Sequence, residues 1–223
     1  MKEIMLTETV FAAAIMLTEI PSGYFADRVG RKISIVLGVL FWIVGICFYA
    51  FTFSFWWICL GALLWGIGTS FNSGADEAML YETLVERGRE KEYKKVSGNL
   101  FFYGRMASVA GGIMAGFMAA DNIKMPAYAT LFMVILWFFL SLTLHETRGE
   151  IKDKETWRHF KRVFYESIVV NKTLRYFLIF TAVGGFYGME FWLNQRYWDF
   201  MGIPILYFGI LVSGIAVFSG FAG

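Results

Sequence analysis

Charged residues are scarce in this chain. Of its 223 residues only 17% are charged, whereas 57% are hydrophobic and 19% are aromatic. A typical soluble domain is less apolar and carries about 25% charged residues. The composition therefore argues against a soluble domain and indicates that much of the chain lies in lipid.

Residues that carry out chemistry are also few, with only two cysteines and two histidines. Cys47 and Cys59 lie inside apolar runs without a second ligand at metal spacing, and His145 and His159 stand apart, so we expect no metal and no cofactor. No nucleotide motif argues for a pump, and the absence of a paired histidine set and of a nucleophile elbow argues against an enzyme. A net charge of +2 is too small to indicate a nucleic-acid partner.

Long apolar runs are what the chain has in abundance. A bilayer core about 30 Å thick needs roughly 20 apolar residues per helical span. Such runs predict an all-α fold, a polytopic membrane helical bundle of about seven transmembrane helices in the lipid bilayer. The predicted segments are Ile4–Tyr24, Ile33–Phe53, Trp56–Ala78, Val96–Ala120, Ala127–Leu144, Leu174–Gln195 and Ile205–Gly223.

Basic residues fall on alternate loops between these segments. Loops on the cytoplasmic side of a membrane carry an excess of Lys and Arg. One face has clusters around Arg31, around Lys94 and along 148–175, whereas the other has only Lys2, Lys124 and Arg196. This pattern predicts a multi-pass plasma-membrane protein with cytoplasmic basic loops and the amino terminus of the chain outside.

The basic stretch after the fifth segment divides the chain. Its apolar residues Trp157, Phe160, Phe164 and Ile168 recur at helical spacing between basic residues, which is typical of a helix at the membrane interface. A flexible solvated linker is the alternative interpretation. The predicted organisation is a helical bundle over 1–146, a cytoplasmic amphipathic linker over 147–172 and the start of a second bundle over 173–223.

A ten-residue motif, GYFADRVGRK, spans residues 23–32 between the first two segments. Gly23 allows neighbouring helices to approach, and Gly30 permits a tight reversal. Asp27 can accept bonds from free backbone donors, while the basic Arg28, Arg31 and Lys32 hold the turn in the cytoplasm. The motif resembles the signature G-x-x-x-D-R-x-G-R-K of the major facilitator superfamily.

The resemblance implies a fold of twelve helices in two bundles of six. This chain would correspond to helices two to eight, and would therefore be incomplete. The implied function is secondary active transport of a small-molecule solute by alternating access, with a proton as the expected coupling ion. The resemblance also implies a cytoplasmic gate in which Asp27 and Arg31 join an acid of the fourth helix, supplied by Asp76, Glu77 or Glu82.

An arginine inside the predicted fifth helix needs a partner, since a charge at the bilayer centre costs on the order of 2.5 to 3.5 kcal/mol. Arg105 and Asp76 are nearly equidistant in sequence from the turn near Glu90, so they are expected at similar depth. We therefore expect Arg105 to pair with Asp76 or Glu77. The pair would serve helix packing or gating, and the sequence does not separate these roles.

A polar stripe marks the predicted seventh helix, where Tyr187, Glu190 and Asn194 share one face. In the family this helix lines the central cavity, so these residues, with Asn72 of the fourth helix, are candidates for substrate or proton contact. Interfacial water near the outer surface is the alternative explanation for Glu190.

A second class of function stays open, namely a non-transporting membrane interaction or regulatory protein, or an inactive fragment of a transporter. It is favoured by the lack of a helix that would line the cavity. The fifth helix also lacks the proline that drug and proton antiporters of the family carry there, which argues against antiport.

The predicted threading can be tested by cysteine labelling. Cysteines introduced beside Arg31, Lys94 and Lys161 should resist a membrane-impermeant maleimide added to intact cells, because these loops are expected inside. A cysteine beside Lys124 should react. Equal reactivity at all four positions would contradict the arrangement.

Overall fold

The computed structural model describes residues 2–146, 176, 194–195 and 197–221, and every regular element in these ranges is helical. The helices are α1 (Lys2–Val29), α2 (Arg31–Phe51), α3 (Phe55–Asn72), α4 (Ala75–Glu86), α5 (Tyr93–Asp121), α6 (Met125–Leu142) and α7 (Leu206–Phe221), with a 3₁₀ turn over Glu90–Glu92 before α5.

Four of the described helices are long and apolar enough to cross a bilayer. They are α1, α2, α6 and α5 together with its preceding turn. Hydrocarbon offers no partner for backbone N–H and C=O groups, so an unbroken helix, which bonds them internally, is one of few structures that can span it. The predicted all-α membrane bundle is thus confirmed.

The predicted third segment, Trp56–Ala78, is not one helix. The chain breaks at Ser73 and Gly74, so α3 ends at Asn72 and α4 begins at Ala75. Gly74 has a φ of +75°, in the left-handed region that favours glycine, while the Ser73 N–H still donates to Thr69 O at 2.8 Å. Hydrophobic periodicity did not predict this break, because it follows apolar side chains and not the backbone angle of one residue.

Two other predicted regions fall largely outside the described residues. They are the amphipathic linker over 147–172 and, apart from Tyr176, Asn194 and Gln195, the segment Leu174–Gln195. The remaining predicted segments correspond to α1, α2, α5, α6 and α7 with shifts of a few residues at their ends.

The first compact unit comprises Met1–Met106 and Met118–Ile151. Its core contains Ile35 and Val39 of α2, with partly buried Val134 and Phe138 of α6 packed against it. Helices α2 and α3 approach until their backbones nearly touch. A Cβ added to Gly38 would lie 2.8 Å from the carbonyl oxygen of Gly68. Such close contact replaces the hydrophobic effect as the force that joins helices in lipid.

Hydroxyl groups join α1 to α3 within the same unit. Thr18 Oγ1 donates to Ser70 Oγ at 2.9 Å, and Ser22 Oγ donates to the Ser70 carbonyl at 2.8 Å. Ser22 and Ser70 are almost completely buried. Each such bond between transmembrane helices contributes modestly, about 0.6 kcal/mol on average.

The second compact unit comprises Ala107–Phe117 and Lys152–Gly223. Within it, Gly209 of α7 lies against Gly112 of α5, and a Cβ on Gly116 would lie 2.8 Å from the Leu206 carbonyl oxygen. Ser213 Oγ donates to Val109 O at 2.9 Å across the same contact. The middle of α5 is therefore a close-packing surface for α7.

Replacing Gly68 by Ala should destabilise the first unit. The new Cβ would lie 2.6 Å from Trp42 Cδ1 and closer still to the Gly38 backbone, so α2 and α3 must separate. Overpacking of this kind costs about 1–3 kcal/mol. Thermal unfolding in detergent measures it.

Gly98→Ala is the matched control, because nothing lies within 4 Å of a Cβ at that position of α5. The control should be neutral or slightly stabilising, since alanine favours a helix. Equal destabilisation by both substitutions would contradict the close contact of α2 with α3.

Candidate functional site

The turn between α1 and α2 consists of a single residue, Gly30. Its φ of +130° is one that L side chains rarely adopt. A Cβ at this position would also lie 2.8 Å from Glu146 Oε2. The backbone conformation therefore favours glycine here, and the absence of a side chain leaves room for the Glu146 carboxylate.

Arg31, the first residue of α2, forms the main ion pair of the first unit. Its Nε lies 2.9 Å from both carboxylate oxygens of Glu82, and its terminal nitrogen lies 2.8 Å from Glu82 Oε1. Asp27 is 3.5 Å away. The Arg31 and Glu82 side chains are each 20% exposed, against 69% for Asp27, so solvent screens the Glu82 pair much less.

The structure therefore selects Glu82 among the three acids that the sequence left open. Asp76 and Glu77 occupy the first turn of α4, where carboxylates compensate unbonded backbone N–H groups. Asp76 Oδ1 accepts the Glu77 N–H at 2.8 Å, and both residues are exposed. Glu82 lies further along α4 and is the acid that meets α2.

Glu146 is the residue that sequence reasoning missed. Its two oxygens accept the backbone N–H groups of Arg31 at 2.7 Å and of Lys32 at 3.1 Å, so a distant carboxylate caps the amino end of α2. The only signal in the sequence is an acid just beyond an apolar run on the basic face. This pattern does not predict which residues the Glu146 carboxylate contacts.

Gly23 and Arg28 of the motif have different surroundings. A Cβ added to Gly23 would meet nothing within 4 Å, so Gly23 does not mediate a close helix approach in this structure. The Arg28 guanidinium stacks over the Tyr24 ring at 4.9 Å, a cation–π contact within α1. Lys32 contributes only its backbone N–H, which donates to Glu146. We call Asp27, Arg31, Glu82 and Glu146 the Arg31 cluster.

The expected pairing of Arg105 with Asp76 or Glu77 does not form. Within the described residues, the ion pairs involve Arg31 or Arg89, and the Arg105 guanidinium lies over the Phe101 ring of its own helix at 4.9 Å. The expectation rested on equal depth alone, and equal depth does not bring two side chains of different helices into contact. Asp76 instead accepts a backbone N–H in the first turn of α4.

The cavity candidates have separate positions. Asn72 is buried, its Nδ2 donates to Gly68 O at 2.9 Å, and it packs against Gly38, so it lies between α2 and α3. Asn194 is helical and half-buried. Tyr187 and Glu190 lie outside the described residues.

The basic turn between α4 and α5 pairs its own charges. Arg89 Nε donates to Glu92 Oε1 at 2.9 Å, and Arg89 Nη2 lies 2.6 Å from Glu92 Oε2. The negative charge of Glu90, which also accepts the Tyr81 hydroxyl at 3.2 Å, raises the pKa of Tyr81. The acids of this turn thus have partners of their own and are separate from the Arg31 cluster.

A family profile described as Major Facilitator Superfamily matches residues 2–223. A Bacillus subtilis protein named "Uncharacterized MFS-type transporter YxaM" is 25% identical over 88% of this chain and 49% of its own length. An "Uncharacterized transporter" of Buchnera aphidicola subsp. Schizaphis graminum is 24% identical over 95% of this chain and 53% of its own.

"Multidrug resistance protein 1" of Bacillus subtilis is also similar, at 27% identity over 69% of this chain and 40% of its own length. The chain spans about half the length of the curated relatives that it matches. The match of the family profile covers the described helices, the turn at Gly30 and the Arg31 cluster.

The assignment of Glu82 can be tested by removing one carboxylate at a time. Glu82→Gln should lower the free energy of unfolding by about 1–3 kcal/mol, because the half-buried Arg31 guanidinium loses its charged partner. Thermal unfolding of the detergent-solubilised protein measures the change.

Glu77→Gln, on the same helix but exposed, should change stability by less than about 0.5 kcal/mol. An effect of Glu77→Gln as large as that of Glu82→Gln would show that Glu82 is not the principal partner.

Proposed function

Because the chain belongs to the Major Facilitator Superfamily, we propose that it serves secondary active transport of a small solute by alternating access, with a proton as the coupling ion. The family consists of transporters, and the relatives carry transporter names. The observation that carries the proposal is the Arg31 cluster, which joins the amino end of α2 to α4 and to the chain just after α6.

Alternating access needs contacts that hold one face closed and that can be broken and remade. The Arg31–Glu82 pair is suited to this, since its side chains remain 20% exposed and water can solvate both charges when they separate. Separating a fully buried ion pair would cost several kcal/mol, because each charge would lose its partner inside the protein. A fully exposed ion pair would contribute too little free energy to keep one face closed. We assign the cluster to the cytoplasmic gate, with the basic loops inside and the protein in the plasma membrane.

The coupling proton needs a carboxyl group at membrane depth that reaches water. Distances along the helices give the expected depth of two acids from the turns at the Arg31 end. Glu19 lies eight residues before Asp27, which is about 12 Å along α1. Asp76 lies ten residues before the end of α4, which is about 15 Å along that helix. Ser73 Oγ lies 3.5 Å from Glu19 Oε1, which links the two helices at this level.

Glu19, Asp76 and Glu77 are exposed in the first unit. Because a carboxylate facing lipid is costly, such groups at this depth are expected to border an aqueous space. We propose that they take up and release the coupling proton. Tyr187, Glu190 and Asn194 of the polar stripe remain the proposed contacts from the second bundle.

The class of solute follows only by analogy. The name of the relative "Multidrug resistance protein 1" makes drugs one candidate class, and an acidic surface would favour cationic ones. The absence of proline from α5 argues against antiport. Sugars and amino acids are the other classes to test.

Proteoliposomes carrying the purified chain and a trapped pH-sensitive dye provide the assay. Ethidium, glucose and leucine are the probes, each added under an imposed pH gradient. One of them should move in a gradient-dependent manner that a protonophore abolishes, and Glu19→Gln should reduce the movement at least about tenfold if a required proton acceptor is lost.

Glu3→Gln is the control, because it removes an exposed acid at the far end of the same helix. Failure of every probe would favour the non-transporting alternative. Movement that is insensitive to the protonophore would retain transport but reject the proton.

A further inference from the structure

Arg105 lies in the middle of α5, far from both ends of the helix. It follows Tyr93 by about 18 Å and precedes Asp121 by about 24 Å along the helix axis. Because α5 with its preceding turn is long and apolar enough to cross a bilayer core about 30 Å thick, the guanidinium is expected near the centre of the membrane. A charge at that depth requires a partner or water.

The described residues give the Arg105 guanidinium a ring but no anion. It lies over the face of the Phe101 ring at 4.9 Å, and it forms no ion pair or hydrogen bond within the described ranges. The ring lies one turn earlier on the same helix, so this contact does not depend on a neighbouring helix. It stabilises the positive charge through one face of the guanidinium and leaves the N–H groups at the edge available.

The surface of α5 around Arg105 is open in the part of the chain that the structure describes. Arg105 and Phe101 are exposed, and a Cβ added to Gly98 or Gly104 would meet nothing within 4 Å. In contrast, Gly112 packs against α7. Since a guanidinium that faces hydrocarbon is costly, this open surface is expected to border water that a solute can enter.

From these observations we propose that Arg105 binds the carboxylate of the transported solute. The planar guanidinium presents parallel N–H donors that match the two oxygens of a carboxylate, and the Phe101 ring behind it holds that plane in place. The central depth excludes the phosphate of a lipid headgroup, which stays at the membrane surface. That the bound molecule is transported rests on the proposed function, whereas the anion site itself does not.

A carboxylate-bearing solute also fits the proposed coupling ion. A proton that moves with the solute offsets the carboxylate charge, whose entry a membrane potential that is negative inside would oppose. Of ethidium, glucose and leucine, only leucine has a carboxylate. The ammonium group of an amino acid would in turn be complementary to the exposed acids of the first unit.

Chemical modification of the intact chain in a non-ionic detergent tests the anion site without a transport assay. Phenylglyoxal modifies guanidinium groups that water reaches, and mass spectrometry of peptides measures Arg105 and the exposed Arg87 in the same sample. Arg105 should react, and benzoate or leucine should slow its modification at least about fivefold, because a bound carboxylate covers the N–H edge. Benzyl alcohol and leucinamide, which lack the carboxylate, should not slow it.

Four results would overturn the site. An unreactive Arg105 would show that water does not reach the guanidinium. Failure of both carboxylates to slow the reaction would show that no carboxylate binds there. Equal slowing by the uncharged counterparts would show that the charge is not recognised, and equal slowing at Arg87 would show that the effect is not specific to Arg105.

Substitutions test the two residues of the site by calorimetric titration with benzoate. Arg105→Gln should weaken binding at least about tenfold, and Arg105→Lys, which keeps the charge but loses the paired donors, should weaken it less. Phe101 is a positioning residue, so Phe101→Leu should weaken binding about threefold without lowering the unfolding temperature. Arg87→Gln and Phe102→Leu are the matched controls at exposed positions. Equal weakening by either control would contradict the assignment.

Transport measurements separate this inference from the proposed function. In proteoliposomes leucine should move with the pH gradient, and Arg105→Gln should reduce its movement at least about tenfold while Arg87→Gln leaves it within about twofold. Leucine movement that Arg105→Gln does not change, or movement of ethidium or glucose alone, would overturn the role of Arg105 in transport. Carboxylate protection of Arg105 without movement of any probe would instead support the anion site and count against the proposed function.

Discussion

Three carboxylates lie close to Arg31, and two of them, Glu82 and Glu146, hold this end of the first unit through different contacts. Glu82 binds the guanidinium through three short contacts, whereas Glu146 binds the backbone N–H of the same residue. One acid therefore neutralises a side chain and the other a helix end. Gly30 leaves room for the second contact, because a Cβ there would lie 2.8 Å from Glu146 Oε2.

The contacts of Glu82 and Glu146 differ in how easily they can separate. The Glu82 pair consists of two flexible, partly exposed side chains, so it can open without disturbing a helix. The Glu146 contact belongs to the start of α2 itself, and opening it would leave helix N–H groups without partners. The Glu82 contact can therefore separate while α2 keeps its cap.

The helix break at Gly74 has an equally direct consequence. It turns the predicted third span into two helices and gives α4 an amino terminus with Asp76 and Glu77 in its first turn. Ser73, in the break itself, lies 3.5 Å through its Oγ from Glu19 Oε1 of α1.

Much of the fold was determined by the sequence alone, because spanning a bilayer requires long apolar helices and basic residues mark the turns between them. The apolar runs predicted α1, α2, α5, α6 and α7, and the motif at 23–32 identified both the family and Arg31 as a central residue. Only the tertiary structure decided that Glu82 is the partner of Arg31, that Glu146 and Lys124 cap α2, and that Arg105 stacks on Phe101. The reason is that helical periodicity reports which face of a helix is apolar, whereas ion pairs depend on distances between residues as far apart as Arg31 and Glu146, and these distances are set by helix packing and by backbone breaks such as Gly74.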